Sequence, residues 1–201
     1  MSLFLGAAFG MAQEAQAQRK GFILGFGIGP GQTYINQAQN GLGLNSNYAR
    51  MKLALATDFK IGYAPSEHLA LHWFSNTTWL RASDVNFFDR DSGGLIEERQ
   101  SVIALSGVAG LGVTYFDGPA PSAYYVEAGI GASTWAYPFF DREGEGATYG
   151  FGLLLGAGKE FARHWTMDVD VFWGRSTDDI AGIGIVNNTF SIKATMGFLL
   201  Y

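Results

Sequence analysis

Apolar side chains alternate with small or polar ones in several segments of this chain. The C-terminal segment is the clearest: Ser191, Lys193, Thr195 and Gly197 separate the apolar residues Phe190, Ile192, Ala194, Met196, Phe198 and Leu200. A period of two residues is that of a β-strand, whose successive side chains point to opposite faces of a sheet. The same alternation recurs in the segments 53–63, 124–131, 149–156 and 166–173.

Eight strands are predicted once the gaps between the clearest segments are filled. They cover 20–33, 53–63, 69–80, 101–116, 122–135, 148–161, 165–174 and 188–201. Ordinary strands average about 5–6 residues, and most of these are about twice as long. A tilted strand needs about 9–11 residues to cross the hydrocarbon layer of a membrane. The predicted strands are therefore long enough to span a bilayer.

The predicted connections alternate between short and long. The short ones are 64–68, 117–121 and 162–164, and the long ones are 34–52, 81–100, 136–147 and 175–187. Tight periplasmic turns and longer extracellular loops are typical of outer-membrane barrels. With an even number of strands, both chain ends lie on the periplasmic side.

Composition indicates which face of the strands is outside. Charged residues make up 15% of the chain, whereas a soluble domain has about 25%. The second face of the strands is mostly Gly, Ala, Ser and Thr, which suits the interior of a narrow barrel. The apolar face then meets lipid. Aromatic residues that fall near strand ends predict interfacial girdles: Tyr63, Trp73, Trp79, Tyr115, Tyr124, Trp165 and Trp173.

The N-terminus has the pattern of a secretion signal. The apolar run 3–12 is followed by Ala15-Gln16-Ala17, which fits a small-x-small cleavage pattern. We therefore expect a signal peptide over 1–17 and a barrel domain over 18–201. No Lys or Arg precedes the apolar run, so either the true start lies further upstream or the sequence is trimmed. A short buried helix is the alternative for this run.

Three segments resemble small outer-membrane barrels of the OmpA-transmembrane and OmpX type. They are Arg19 to Gly27, Tyr125 to Ala132 and Gly156 to Trp165. The end of the chain, Gly197 to Tyr201, resembles the C-terminal signal that the barrel-assembly machinery recognises, although that signal usually places its glycine one residue further from the terminal aromatic. The resemblance implies an all-β, eight-stranded antiparallel up-and-down transmembrane β-barrel in the outer membrane of a Gram-negative-type bacterium, with the assembly machinery as a partner of the last strand.

Charge and residue types exclude several classes of function. The net charge of −5 argues against a nucleic-acid partner, because phosphate binding needs concentrated Lys and Arg. There is no cysteine, so disulfides and cysteine metal sites are impossible. The glycines of 27–31 form no phosphate loop, since they lie in a predicted strand with no helix after them. We expect no cofactor.

Seven charged residues are predicted on interior faces of the strands. Folding the last hairpin about its middle also places Asp170 close to Lys193. The set has two interpretations: a path for cations or protons, or an ion-pair network that fills a closed interior. An eight-stranded barrel is just wide enough for its own side chains, which favours the second. The residues are Asp58, Lys60, Glu127, Glu160, Asp168, Asp170 and Lys193.

The predicted long loops contain phenylalanines beside acidic residues. Such loops could bind a protein, a surface glycan or Ca²⁺. Alternatively, the loops pack together and their acids bind divalent ions that bridge lipopolysaccharide. The candidate residues are Phe87, Phe88, Asp89, Asp91, Phe139, Phe140 and Asp141.

An enzyme of the same fold is the main competing hypothesis. Lipid A deacylase barrels share segments with this chain, but they carry a His-x-Ser pair where this chain has none. His72 and Ser75 are three apart on a predicted strand, so they should point to opposite faces. His68 and His164 fall in predicted turns, with no converging metal ligands. We therefore predict a non-enzymatic outer-membrane barrel with a structural or adhesive role through its extracellular loops. The alternatives are a lipid- or lipopolysaccharide-modifying enzyme and a soluble secreted carrier of a hydrophobic ligand.

Overall fold

A computed structural model shows a closed barrel of eight antiparallel strands arranged in chain order. The structure describes residues 19–41, 44–88, 95–139, 147–180 and 182–201; the predicted signal peptide lies outside this part. In the described residues, no helix is long and apolar enough to cross a membrane. The predicted fold class, an all-β up-and-down barrel, is confirmed.

Each strand pairs with the next, and the last pairs with the first to close the barrel. The strands are Gly21–Gly41 (β1), Leu44–Ser66 (β2), Leu69–Phe88 (β3), Leu95–Phe116 (β4), Tyr124–Ala136 (β5), Ala147–Ala162 (β6), Trp165–Ile180 (β7) and Ile183–Leu200 (β8).

The pairing register shows that the barrel is strongly staggered. Followed from strand to strand, the register leaves β1 at Gly27 and returns to it at Gln37, a stagger of ten residues (37 minus 27). Strands in closed barrels tilt by about 35–45° to the axis because of such a stagger. Tilted strands also bring distant register positions to the same height in the lumen.

The short turns lie where the sequence predicts them. β2 and β3 are joined through Glu67 and His68, and β6 and β7 through Arg163 and His164. The longer β4–β5 turn runs from Asp117 to Ala123. Both described chain ends lie at this end of the barrel, which is the periplasmic end in barrels with this asymmetry.

At the other end, the strands are longer than predicted. The segments 34–52, 81–100 and 175–187 were expected to be loops, but the structure pairs most of them as continuations of β1–β4, β7 and β8. The prediction was wrong because it relied on alternation of apolar residues. Above the lipid the outer face is hydrated, so strands can continue there without an apolar face. The described strand ends at Ala136 and Ala147 agree within one residue with the predicted connection 136–147.

The outer face of the strands carries a continuous apolar belt. Leu111 is 73% exposed and Leu155 64% exposed, and similar side chains follow on every strand. Tyr63, Tyr115, Tyr124 and Trp165 face outward near the periplasmic turns, whereas Trp73 and Trp173 lie further into the belt. Apolar side chains in this number are stable outside only in lipid. The closed barrel therefore resides in the outer membrane, and the soluble-carrier alternative is wrong.

Glycines make room for large side chains inside the barrel. The Phe74 ring lies against Gly129, where a Cβ atom would come within 2.8 Å of Phe74 Cζ. Tyr125 fits against Gly158 in the same way. A narrow barrel alternates small and large interior residues for this reason. The glycine-rich second face of the strands thus reflects a filled lumen.

Candidate functional site in the barrel lumen

The periplasmic mouth of the barrel is closed by a plug of packed side chains. Ile23, Ala70, Phe116 and Leu199 belong to a buried apolar cluster at this level, and Tyr201 packs against its edge. Burial, followed by the nearby Glu160 carboxylate, raises the pKa of Tyr201 to about 12. Its phenol is therefore neutral at physiological pH.

Arg19 is the centre of this periplasmic plug. Its guanidinium is fully buried and forms a bidentate ion pair with Glu160. It also donates to the carbonyl oxygens of Glu67 and Gly118, which lie in two different turns. The guanidinium carbon lies 3.5 Å from the centre of the Phe116 ring, a cation–π contact. This role of Arg19 was not predicted, although Arg19 has the odd numbering of the interior residues of β1.

Above the plug lies a layer of buried charged side chains, which we call the ion layer. Asp58 and Lys60 are two residues apart on β2 and therefore share the interior face. The Lys60 ammonium lies 3.3 Å from the Asp58 carboxylate and forms a second ion pair with Glu127 on β5. One cation on β2 thus compensates carboxylates on two strands.

The second ammonium of the ion layer belongs to Lys193 on β8. It lies 3.3 Å from Asp170, its directly paired neighbour on β7, and 4.0 Å from Asp58. Asn76 on β3 donates a hydrogen bond to Asp170 over 3.1 Å. Asp58 therefore connects the two lysines across the lumen.

Asp168 and His72 also belong to the ion layer, and their hydrogen-bond partners are neutral hydroxyl groups. Asp168 accepts hydrogen bonds from the Tyr125 hydroxyl and, at 3.1 Å, from the Thr166 hydroxyl. His72 Nε2 lies 2.9 Å from the Thr114 hydroxyl and 4.0 Å from Glu127 Oε1. The second distance is too long for a hydrogen bond.

A small cavity separates the plug from the ion layer. Its volume is about 30 Å³, and its polar lining includes Asp58, His72, Thr114, Thr166 and Asp168. That volume is enough for about one or two water molecules. It is far too small for a drug-sized ligand, which needs about 300 Å³ or more.

Further layers fill the lumen towards the extracellular end. Phe74, Val108, Leu154 and Phe172 form an apolar cluster. Beyond it, the Thr33 hydroxyl bonds to Thr78 at 2.9 Å and to Ser191 at 2.8 Å. A second apolar cluster follows, made by Ile35, Leu80, Ala104 and Trp135. The described lumen is therefore packed at several levels between its two ends.

The structure brings together six of the seven charged residues that the sequence predicts in the lumen. Asp58, Lys60, Glu127, Asp168, Asp170 and Lys193 form the ion layer, and Glu160 lies apart from them in the plug with Arg19. The predicted proximity of Asp170 and Lys193 is observed at 3.3 Å.

The predicted loop residues are only partly described. Phe139 is 65% exposed in a turn after β5. The backbone of Phe87 and Phe88 belongs to the end of β3, so these two residues are not in a loop. Asp89, Asp91, Phe140 and Asp141 lie outside the described residues.

The histidines show no catalytic arrangement in the described part of the barrel. His72 points into the lumen, and Ser75 lies on the opposite face of the same strand. His68 and His164 lie in periplasmic turns, where each ring bonds to a backbone carbonyl at 2.9 Å. Among the described residues, no group of His, Asp and Glu side chains is arranged to hold a metal ion.

Solved structures of known proteins resemble this chain in fold, but the sequence comparisons found no relative. No family model matches the chain, and no curated protein matches it. The outer membrane protein OprG of Pseudomonas aeruginosa has a TM-score of 0.52 and 9% identity, over 92% of this chain and 99% of that chain. The Neisserial surface protein NspA has a TM-score of 0.48 and 11% identity, over 88% and 96%.

A third solved structure is that of Ail, the attachment invasion locus protein of Yersinia pestis, in complex with the heparin analogue sucrose octasulfate. It has a TM-score of 0.44 and 9% identity, over 89% of this chain and 99% of that chain. At such low identity, the likeness to OprG bears on the fold alone. Together with the outward apolar belt, it shows that this chain has the fold of the small outer-membrane β-barrels.

Proposed function

We propose that this protein is a non-enzymatic outer-membrane barrel that acts through the extracellular ends of its strands. One observation carries the proposal: in the described part, β1 and β7 continue as paired strands past the last large apolar residue that each of them directs outward. On β1, for instance, Tyr34 is the last large apolar residue that faces outward, and the strand continues to Gly41. An anchor alone does not need such extensions.

The described side chains above the belt are suited to contacts with a hydrated partner. On β1 they include Asn36 and Asn40, and the position on β8 that pairs with Asn36 is Asn188. Amide side chains both donate and accept hydrogen bonds, so they bind proteins and neutral glycans without a charge preference. Rigid paired strands also present these groups with less loss of entropy than a free loop.

The packed lumen supports a role that does not involve transport. Layers of apolar and ion-paired side chains fill the described interior. The only histidine in the lumen lies in the ion layer, far from the rim where a lipid headgroup would enter. We therefore favour surface interaction over lipid A hydrolysis.

We further propose a relationship with barrels of the OmpA-transmembrane and OmpX type, which rests on the sequence resemblance of the strand segments. Expected partners are lipopolysaccharide and outer-membrane lipid around the belt, the barrel-assembly machinery at the last strand, and an extracellular protein or glycan at the hairpins. Cleavage of the signal segment 1–17 belongs to the same proposal.

Shortening the hairpins tests the proposed function. One variant replaces residues 37–48 by Asn-Gly, which closes β1 and β2 above the pair Asn36–Ala49 with a favoured two-residue turn. A second variant replaces 84–100 by Asn-Gly above the pair Ser83–Ser101. We expect both to fold, because the belt and the lumen below are intact, and at least one to reduce attachment of expressing bacteria to cultured epithelial cells about tenfold.

The matched control is Arg163→Gln, an exposed substitution in a periplasmic turn, which should leave attachment unchanged. Each variant is first checked for a folded band on an unheated gel. If both shortened barrels fold and the bacteria attach to cells as well as bacteria with the intact chain do, the hairpins are not the functional surface.

A further inference from the structure

The ion layer contains more carboxylates than cations. Asp58, Glu127, Asp168 and Asp170 face the ammonium groups of only Lys60 and Lys193 in the described lumen. All six are nearly inaccessible to solvent. A buried carboxylate without a counter-charge is strongly unfavourable and is commonly neutralised by binding a proton.

Three of the four carboxylates have an ammonium partner. Glu127 pairs with Lys60, Asp170 with Lys193 at 3.3 Å, and Asp58 contacts both lysines at 3.3 and 4.0 Å. Asp168 differs from them, because in the described residues its direct partners are two hydroxyls, those of Tyr125 and Thr166. Of the four carboxylates, Asp168 therefore has the least compensation for a negative charge.

We infer that Asp168 is a proton-binding site in the membrane-embedded lumen and is occupied by a proton in the folded barrel. The geometry suits the neutral acid. Tyr125 donates to one carboxyl oxygen. When the other oxygen carries a proton, its contact with the Thr166 hydroxyl 3.1 Å away reverses, so that the hydroxyl accepts instead of donating, as a hydroxyl can do both. Thr166 and Asp168 both line the small cavity, which has room for a water molecule beside the carboxyl group.

The groups around Asp168 determine the pH response. The charged or titratable groups that face it are Lys60 and Asp58 on β2, His72 on β3, Tyr125 and Glu127 on β5, Asp170 on β7 and Lys193 on β8. The unfolded chain exposes Asp168 to water, where an aspartate is ionised at neutral pH. The folded barrel then holds one more proton than the unfolded chain, so stability should fall as pH rises.

The test is infrared spectroscopy of the whole barrel in lipid vesicles, in which the spectrum of Asp168→Asn is subtracted from that of the wild type. We expect wild-type protein near pH 7 to show the carbonyl stretch of a protonated carboxylic acid, and Asp168→Asn to lose that band. Asp170→Asn is the matched control, two residues away on the same face: it should keep the band but unfold at least about tenfold faster in urea, because Lys193 loses its closest partner.

A second measurement follows urea unfolding of the same proteins between about pH 6 and pH 9. Wild-type barrel should unfold faster as pH rises, and Asp168→Asn, which mimics the neutral acid in shape, should lose that dependence. A wild-type spectrum without the band, a band that persists in Asp168→Asn, or a failure of Asp168→Asn to fold would each overturn the inference. None of these results depends on the proposed surface function.

Discussion

Arg19 illustrates how one buried side chain can join distant parts of this chain. Its guanidinium contacts Glu160, the carbonyls of Glu67 and Gly118, and the ring of Phe116. These partners belong to all three periplasmic turns or the strand ends beside them. The residue can make its contacts only when the barrel is closed, so it stabilises the closed state.

Substitution of Arg19 should therefore reduce stability strongly. We expect Arg19→Ala to lower the free energy of unfolding by about 3–5 kcal/mol, because it leaves the Glu160 carboxylate buried and unpaired. Urea unfolding in vesicles, followed by the shift of the folded band, measures the effect. Lys20→Ala is the control, since its side chain is exposed.

The double variant Arg19→Met with Glu160→Leu separates charge from packing. Replacing both members of a buried ion pair by apolar residues is often neutral or stabilising, so most of the lost stability should return. If Arg19→Ala unfolds like wild type, the plug does not hold the barrel closed.

At the scale of elements, the seam between β1 and β8 has a local interruption. The two strands pair from Leu24 to Ile28 and again from Gly31 onwards, but not at Gly29 and Pro30. Pairing of the same residues with β2 is continuous. Proline has no N–H to donate, so the hydrogen bond that is missing at Pro30 is one to β8. The pairing between β1 and β8, which closes the barrel, is therefore weakest at this level.

Pro30→Val should restore a backbone hydrogen bond between β1 and β8. The side chain at this position faces outward, so valine meets lipid and its N–H can donate to β8. We expect slower amide hydrogen exchange in the β8 segment around Ala194, measured by mass spectrometry on the barrel in vesicles. The matched control is Leu55→Val on β2, also outward. Unchanged exchange in Pro30→Val would show that the seam is not limited by the missing donor.

At the scale of the molecule, the fold could be predicted from the sequence by combining three patterns. The alternation of side chains located five strands clearly and left gaps that fit three more, composition indicated the face that meets lipid, and the lengths of the connections indicated the end with short turns. The extracellular extensions of β1–β4 could not be predicted in this way, since strands above the lipid have no apolar face to detect. The proximity of Asp170 and Lys193 followed from folding one hairpin, because paired positions in adjacent strands depend on local register.

Contacts across the lumen could not be predicted from the sequence. Lys60 meets Glu127 across several strands, and Arg19 meets Glu160 from outside any strand. Such contacts depend on the stagger and tilt of the closed barrel, which no local pattern encodes. The same reasoning explains why Glu160 was grouped with the other interior charges although it belongs to the plug.

The most direct test of the account is the migration of the mature chain on gels after fractionation of expressing cells. A closed barrel in lipid should be found in the outer-membrane fraction and should migrate differently before and after boiling, because the folded barrel resists detergent until it is heated. A chain that stays soluble in the periplasm without detergent, with one mobility before and after boiling, would contradict the membrane-embedded barrel.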